Sequence, residues 1–175
     1  DVLSILLPPS LTISFIQVLR QGKQQREFAV SILKYCLPMI IIALSWTIYS
    51  NQKLNLHYII AVILIFAALS RFSPYVSTLL SQFIENNSRK YLVAMGLVHG
   101  MTNMGGSLLS AYAVTRYQFK DEVLGCIATA YLIFGLVQLG TLQYANALNV
   151  NLTTFLSCLV AGLVFILVGS RLYNC

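Results

Sequence analysis

Most of the sequence consists of apolar runs long enough to cross a lipid bilayer, and short loops that carry most of the charge separate them. Only 9% of the residues are charged, whereas soluble domains carry about 25%. The runs do not alternate between apolar and polar residues, as the strands of a membrane barrel would. We therefore expect an all-α polytopic membrane protein with about five spanning helices. The runs are Val2–Leu19, Phe28–Tyr49, Leu56–Ser70, Val123–Tyr144 and Leu152–Ser170.

One further apolar stretch, Tyr91–Tyr117, is interrupted near its middle by glycines and polar residues. Glycine disfavours a helix and lets other backbone approach closely. A broken apolar helix with polar groups at its break is typical of the binding elements of membrane transporters. The residues that mark the break are Gly96, Gly100, Gly105 and Gly106, with His99, Thr102, Asn103 and Ser107 beside them.

The distribution of Lys and Arg over the loops indicates how this stretch meets the membrane, because cytoplasmic loops are enriched in both residues. If Tyr91–Tyr117 spans once, the two sides hold seven and four of them. If it enters and returns to the same side, they hold ten against Lys53 alone. Each half of the stretch is also shorter than the roughly 20 residues that a crossing needs. We therefore predict a re-entrant hairpin of two half-helices that meet at Gly105 and Gly106.

The order of the segments favours two structural repeats. We assign residues 1–71 to the end of a first repeat with three membrane helices, and 91–175 to a second repeat with the broken pair and two membrane helices. Residues 72–90 form an amphipathic linker on the membrane surface. Gln17 and Gln138 lie in similar short sequences near helix ends, which favours the inverted repeats common in transporters. We expect the counterpart of the broken pair and one last helix to lie outside this sequence.

The break offers hydrogen-bond donors to a negatively charged ligand. We expect Ser107 to cap the second half-helix, whose first backbone N–H groups lack partners and carry a partial positive charge. Such a terminus binds an anion without a buried cation. Thr102 and Asn103 add hydrogen bonds, and His99 can donate or exchange a proton near neutral pH. The predicted substrate-binding residues are His99, Thr102, Asn103, Gly105, Gly106, Ser107, Gln17 and Gln138.

Other interpretations of these residues remain open. Gly96 and Gly100, four residues apart, also suit close packing between membrane helices, and Gln17 and Gln138 suit hydrogen bonds across helices. If the glycines serve only packing, the protein is a non-transporting integral membrane subunit. An intramembrane enzyme that uses His99 is the least favoured hypothesis, because the apolar runs hold no carboxylate.

Several other classes of function are disfavoured by what the sequence lacks. Its four cysteines show no CxxC or Cys/His spacing, and no Walker-type glycine–lysine pattern occurs. We therefore expect no metal site, no cofactor and no catalytic activity. The net charge of +6 comes from basic loops that face anionic lipid, so we expect no nucleic-acid binding either.

A resemblance to a known family rests on the sequence that begins at Gly96, GLVHGMTNMGGSLLSAYAVTRYQFKDEVLGCIATAYLIFGLVQLGTL. It resembles the second signature of the sulfite exporter family of the TauE/SafE type, also called the toluene sulfonate uptake permease family. Members carry a G-x-x-x-G…GG-[P/x]-L-L run in each half, which Gly96, Gly100, Gly105, Gly106, Leu108 and Leu109 match. The sequence departs from the family where His99 replaces serine, Asn103 replaces glycine and Ser107 replaces proline.

The resemblance implies a secondary transporter or permease for small sulfur-containing anions such as sulfite, sulfoacetate or sulfonates. It also implies an inverted-repeat fold in which half-helix N-termini bind the anion near mid-membrane. We place the protein in the bacterial plasma (inner) membrane with its basic loops in the cytoplasm. Its expected partners are the anion and the lipid bilayer, with a proton as candidate coupling ion and a candidate oligomer.

Overall fold

The computed structural model describes residues 2–21, 26–49, 56–145 and 151–169. All regular structure within these ranges is helical, so the predicted all-α fold is confirmed. In chain order the helices are α1 (Val2–Gln21), α2 (Arg26–Tyr49), α3 (Leu56–Phe72), α4 (Pro74–Asn86), α5 (Ser88–Thr102), α6 (Gly106–Arg116), α7 (Lys120–Tyr144) and α8 (Leu152–Gly169). Lys53, which enters the charge argument, lies outside the described residues.

The lengths and exposed surfaces of the helices fit a membrane environment. Among the described helices, α2, α7 and α8 are long and apolar enough to cross a bilayer, and α1 holds a shorter apolar helix over Ile5–Arg20. Helices α3 and α4 qualify together but are bent by 104° at their junction, where the Ser73 hydroxyl accepts a hydrogen bond from the N–H of Val76. Large apolar side chains remain exposed along α3 and α8. Such a surface is favourable in contact with lipid and unfavourable in contact with water.

Helix α5 packs against α2 through its first two glycines. A Cβ at Gly96 would overlap the carbonyl oxygen of Cys36, and one at Gly100 would lie 2.7 Å from the carbonyl oxygen of Ile40. The contacts advance along both helices in the same direction, so α2 and α5 run parallel. Gly96 and Gly100 therefore pack helices, as the packing interpretation proposed.

Helix α6 folds back along α5. The hydroxyl oxygens of Ser88 and Tyr112 are 3.0 Å apart, and the Tyr91 hydroxyl donates to the carbonyl of Leu108 at 2.8 Å. The rings of Tyr91 and Tyr112 stack with their centroids 6.0 Å apart. These contacts join the start of α5 to the body of α6, so the chain reverses at residues 103–105, as the predicted hairpin requires.

The hairpin gathers cationic residues at one end of the helix bundle, which we call the basic end. The Phe28 ring, near the start of α2, lies 5.8 Å from that of Tyr112 and 6.5 Å from that of Tyr117. The Arg89 guanidinium lies 5.6 Å from the centre of the Tyr35 ring. The starts of α2, α5 and α7 and the end of α6 therefore lie together. They carry Arg26, Arg89, Lys90, Arg116 and Lys120.

Helix α1 completes the bundle by packing on α7 and α8. A Cβ at Gly135 of α7 would lie 2.6 Å from a methyl group of Leu11. On the other side of α1, Thr12 and Ile16 lie against Gly162 of α8. Helices α1, α5 and α7 all adjoin the hairpin turn and enclose a cavity there.

The glycine packing predicts opposite effects for two alanine substitutions. Gly96→Ala is expected to destabilise the protein by about 1–3 kcal/mol, because its methyl group would overlap α2 backbone. A Cβ at Gly140 of α7 would have no neighbour within 4 Å, so Gly140→Ala is expected to stabilise the helix by about 0.5–1 kcal/mol. Thermal unfolding in detergent measures both changes. An equal stability of the two variants would contradict the close approach of α5 to α2.

Candidate functional site

The break between α5 and α6 is a short turn at residues 103–105. Asn103 adopts the left-handed conformation with φ of 56°, and its N–H donates to the carbonyl of His99 at 2.8 Å. Asparagine tolerates this conformation better than most residues with a side chain. The hydroxyl of Thr102 accepts a hydrogen bond from the N–H of Met104 at 3.2 Å. The break thus includes Gly105, the first residue of the glycine pair at which it was predicted.

Ser107 does not cap α6, so this prediction is wrong. Gly105 is the N-cap residue, and no side chain makes the capping hydrogen bond. The cap lies two residues earlier than expected, which places Ser107 inside the first turn of the helix. There the Ser107 hydroxyl donates to the carbonyl of Met104 at 3.5 Å. The N–H of Leu109 is also paired, with the carbonyl of Gly105 at 2.9 Å. By helix geometry, the N–H groups that lack an intrahelical partner belong to the first three residues of α6.

The imidazole of His99 is buried beside this turn without a hydrogen-bond partner. His99 is 2% exposed, and neither ring nitrogen has a partner among the described residues. Its ring lies 4.6 Å from that of Phe134 and 6.5 Å from that of Tyr131, centre to centre. An unpaired buried polar group costs about 1–3 kcal/mol. At this position the imidazole therefore lowers the stability of the described structure rather than adding to it.

The two glycines of the turn allow close approach to His99 and Tyr131. A Cβ at Gly105 would lie 2.6 Å from the Cβ of His99 and 2.8 Å from its Nδ1. A Cβ at Gly106 would overlap the hydroxyl group of Tyr131. The start of α6 therefore rests directly on a buried imidazole and a phenol hydroxyl.

A cavity of about 410 Å³ lies at the turn, and we call it the His99 cavity. Helices α1, α5 and α7 line it together with the turn itself. Its polar lining comes from Ser10, His99, Thr102, Asn103, Tyr131 and Gln138. No Asp, Glu, Lys or Arg is among the described residues of the lining, so its polar groups are neutral side chains and the titratable His99 and Tyr131.

Gln138 ties α7 to the turn. Its Nε2 donates to Oδ1 of Asn103 at 3.2 Å, and the Gln138 side chain is 2% exposed. The amide oxygen of Asn103 accepts this bond, and its NH₂ group carries the N–H donors that can bind a ligand. Gln138 therefore fits both interpretations that the sequence left open, since it bonds across helices and lines the cavity.

The structure separates the predicted site residues into groups. His99, Thr102, Asn103 and Gln138 line the His99 cavity, and Gly105 and Gly106 form the adjoining turn and helix start. Ser107 lines a different cavity, between α3, α4 and α6. Gln17 lines neither of these cavities and lies seven residues beyond Ser10 in α1, about 10 Å along the helix.

Sequence reasoning missed Ser10 and Tyr131. Tyr131 precedes Gln138 by seven residues, which places both side chains on one face of α7. That spacing is a signal from which Tyr131 could have been predicted once Gln138 was chosen. Ser10 offered no comparable signal, because only the packing of α1 against α7 brings it to the cavity.

The fold and the site together define a class of protein. A polytopic helical membrane protein with a broken helix hairpin beside a neutral polar cavity has the architecture of a transporter binding element. The model of the sulfite exporter TauE/SafE family matches residues 1–174. The chain therefore belongs to this family, which comprises membrane permeases that export sulfite and related sulfur-containing anions. No curated protein and no solved structure matches the chain.

Proposed function

We propose that this chain transports a small sulfur-containing oxyanion, sulfite or a sulfonate, through the His99 cavity. The observation that carries the proposal is the buried imidazole, whose two nitrogens have no partner within the described ranges. The N-terminus of α6 adjoins it and adds backbone donors and a partial positive charge. An oxyanion would satisfy the imidazole and the helix terminus at the same time.

The length of α5 supports a binding site within the bilayer. Its 15 residues extend about 22 Å from the basic end, and the hydrocarbon core is about 30 Å thick. With the basic end at the membrane surface, the turn and its cavity lie inside the core. We propose that the hairpin is re-entrant and that the basic end faces the cytoplasm of a bacterial cell.

Proton coupling is part of this proposal. Protonated His99 would offer two N–H donors and a full positive charge to the anion. The titratable residues of the described lining are His99 and Tyr131. It therefore contains no carboxylate that would compete with the anion for the imidazole. Transport would involve no covalent change in the substrate, in keeping with the expected lack of catalysis.

We also keep the repeat arrangement as a proposal. Residues 1–71 would end one repeat and residues 91–175 would form most of the second, joined by a linker at 72–90 that contains α4. Helix α4 exposes Tyr75, Leu79 and Phe83, which supports its placement on the membrane surface.

Asn103→Gly tests the proposed site without strain in the backbone of the turn. Glycine adopts the left-handed conformation of Asn103 freely, but the variant loses the acceptor of the Gln138 hydrogen bond, so a loss of stability of about 1–3 kcal/mol is expected beside the loss of affinity. The loss of a hydrogen bond to an anion is worth about 1.5–3 kcal/mol, so sulfite affinity should fall about 10- to 150-fold. Sulfite-dependent thermal stabilisation in detergent and sulfite flux into vesicles measure the effect.

The control for this experiment is Ser157→Ala in α8, which also removes a polar side-chain group but lies away from both cavities. Its sulfite affinity and flux are expected to equal those of the unmodified chain. If Asn103→Gly leaves both quantities unchanged as well, the proposed site is wrong. If flux is absent from the unmodified chain and glycine substitutions disrupt its association with another protein, the hypothesis of a non-transporting subunit is favoured.

A further inference from the structure

A second cavity, of about 280 Å³, lies between α3, α4 and α6, and we call it the hydroxyl cavity. Its polar lining consists of the hydroxyl groups of Ser70, Ser77, Ser81, Ser107, Ser110 and Thr115. No charged residue is among its described lining. So many hydroxyl groups around one space stand out in a chain whose residues are 58% hydrophobic.

The hydroxyl groups contribute little to holding the three helices together. Those of Ser70, Ser81 and Ser110 donate to carbonyls of their own helices, at 2.8, 3.0 and 2.9 Å. One hydrogen bond in the described lining joins two helices: the Thr115 hydroxyl of α6 donates to the Ser81 hydroxyl of α4 at 3.4 Å. A serine hydroxyl that bonds its own helix can rotate toward a ligand, because the carbonyl keeps its backbone hydrogen bond. The lining therefore offers donors that helix packing does not require.

The hydroxyl cavity extends from the hairpin turn toward the basic end. Ser107 lies in the first turn of α6, and the preceding residues Asn103 and Met104 line the His99 cavity. Thr115 directly precedes Arg116 at the basic end. Thr115 lies eight positions after Ser107, about 12 Å along the helix. The turn before α6 thus lines the His99 cavity, the first turn of α6 lines the hydroxyl cavity, and the lining of the hydroxyl cavity reaches the residue before Arg116.

We propose that the hydroxyl cavity is the passage through which a small oxyanion moves between the His99 cavity and the basic end. This proposal rests on the proposed function and adds the route and its residues. The hydroxyl groups replace part of the hydration shell of the anion by donating hydrogen bonds, and the absence of a fixed cation in the described lining prevents the anion from being trapped. A hydroxyl lining also accepts water, so a partly hydrated anion can pass.

Cysteine modification with an anionic thiol reagent tests the passage. Ser110→Cys preserves the size of the side chain, and the membrane-impermeant reagent sulfonatoethyl methanethiosulfonate would then attach a sulfonate inside the cavity. The sulfite flux of the same variant into vesicles before modification is the reference. After modification it should fall at least about tenfold, and sulfite should slow the modification. Ser81→Cys on α4 repeats the test from the opposite wall.

Ser157→Cys on α8 is the matched control, since its hydroxyl likewise donates to a carbonyl of its own helix, that of Thr154 at 2.7 Å. Modification of this variant should leave flux unchanged. Lys120→Cys identifies the membrane face of the basic end, and Ser110→Cys should react from that face. If the cysteines at 110 and 81 do not react, or react fully without loss of flux, the passage is wrong while the proposed function stands. A lack of sulfite flux in the unmodified chain would overturn both proposals.

Discussion

A His99→Met variant is expected to be at least as stable as the unmodified chain and to lose most of its sulfite binding and transport. The imidazole is 2% exposed and unpaired in the described structure, so its burial costs about 1–3 kcal/mol that an apolar side chain would not. Methionine is flexible and polarisable and can fill the space beside Phe134. Without the imidazole the anion loses a charge-assisted donor, which should weaken binding about 10- to 150-fold.

The combination of the two results distinguishes a ligand-binding histidine from a structural one. Thermal unfolding in detergent measures stability, and sulfite-dependent stabilisation and vesicle flux measure function. Tyr91→Phe is the control, since the Tyr91 hydroxyl is buried but donates to the carbonyl of Leu108 at 2.8 Å. Its loss should lower stability by about 1 kcal/mol and leave sulfite affinity unchanged. If His99→Met is clearly less stable than the unmodified chain but still transports sulfite, then His99 serves the fold.

Of about five predicted spanning helices, three described ones, α2, α7 and α8, are long and apolar enough to span, and these could be predicted because the bilayer leaves a chain of this composition few choices. Apolar runs must satisfy their backbone groups internally, so each becomes a helix. The run Val123–Tyr144 and the helix Lys120–Tyr144 end at the same residue. The helix begins earlier because Asp121 and Glu122 are favourable in the first turn of a helix, where the dipole is positive. A helix predicted from hydropathy alone therefore starts too late, because it leaves out these charged residues.

The hairpin was predictable from the charge distribution, but the roles of its glycines were not. Gly96 and Gly100 meet the backbone of α2, whereas Gly105 and Gly106 meet the side chains of His99 and Tyr131. The sequence does not distinguish these four positions, since each is a glycine in an apolar run. Which neighbour a glycine faces is fixed by tertiary packing, so only the structure separates packing from the site.

The structure brings only part of the predicted site residues together, for a similar reason. Thr102 and Asn103 lie at the turn itself, so sequence proximity to the break was enough to place them near His99. Ser107 is equally close in sequence but belongs to the other cavity, because one turn of helix directs neighbouring residues to different faces. Gln17 was predicted because the short sequences around Gln17 and Gln138 are similar. That similarity does not show how far along α1 the cavity lies.

Gly106→Ala is expected to disrupt both the fold and the site, because its methyl group would overlap the hydroxyl of Tyr131. Either α6 moves away from α7 or the Tyr131 side chain turns within the His99 cavity. We expect a loss of stability of about 1–3 kcal/mol and a sulfite flux at least about tenfold below that of the unmodified chain. The same substitution at Gly140, which has no neighbour within 4 Å, should leave flux unchanged.

The double variant Gly106→Ala/Tyr131→Phe shows whether the hydroxyl group is the cause. Removal of that hydroxyl leaves the ring carbon Cζ, 3.1 Å from the Cβ position, as the nearest atom, so most of the stability should return. Thermal unfolding measures this rescue, and a double variant no more stable than Gly106→Ala would contradict the contact. Flux then separates two roles of Tyr131, with Tyr131→Phe alone as reference. Recovery of stability without recovery of flux would mean that the hydroxyl binds the anion, whereas recovery of both would mean that it only shapes the cavity beside the α6 N-terminus.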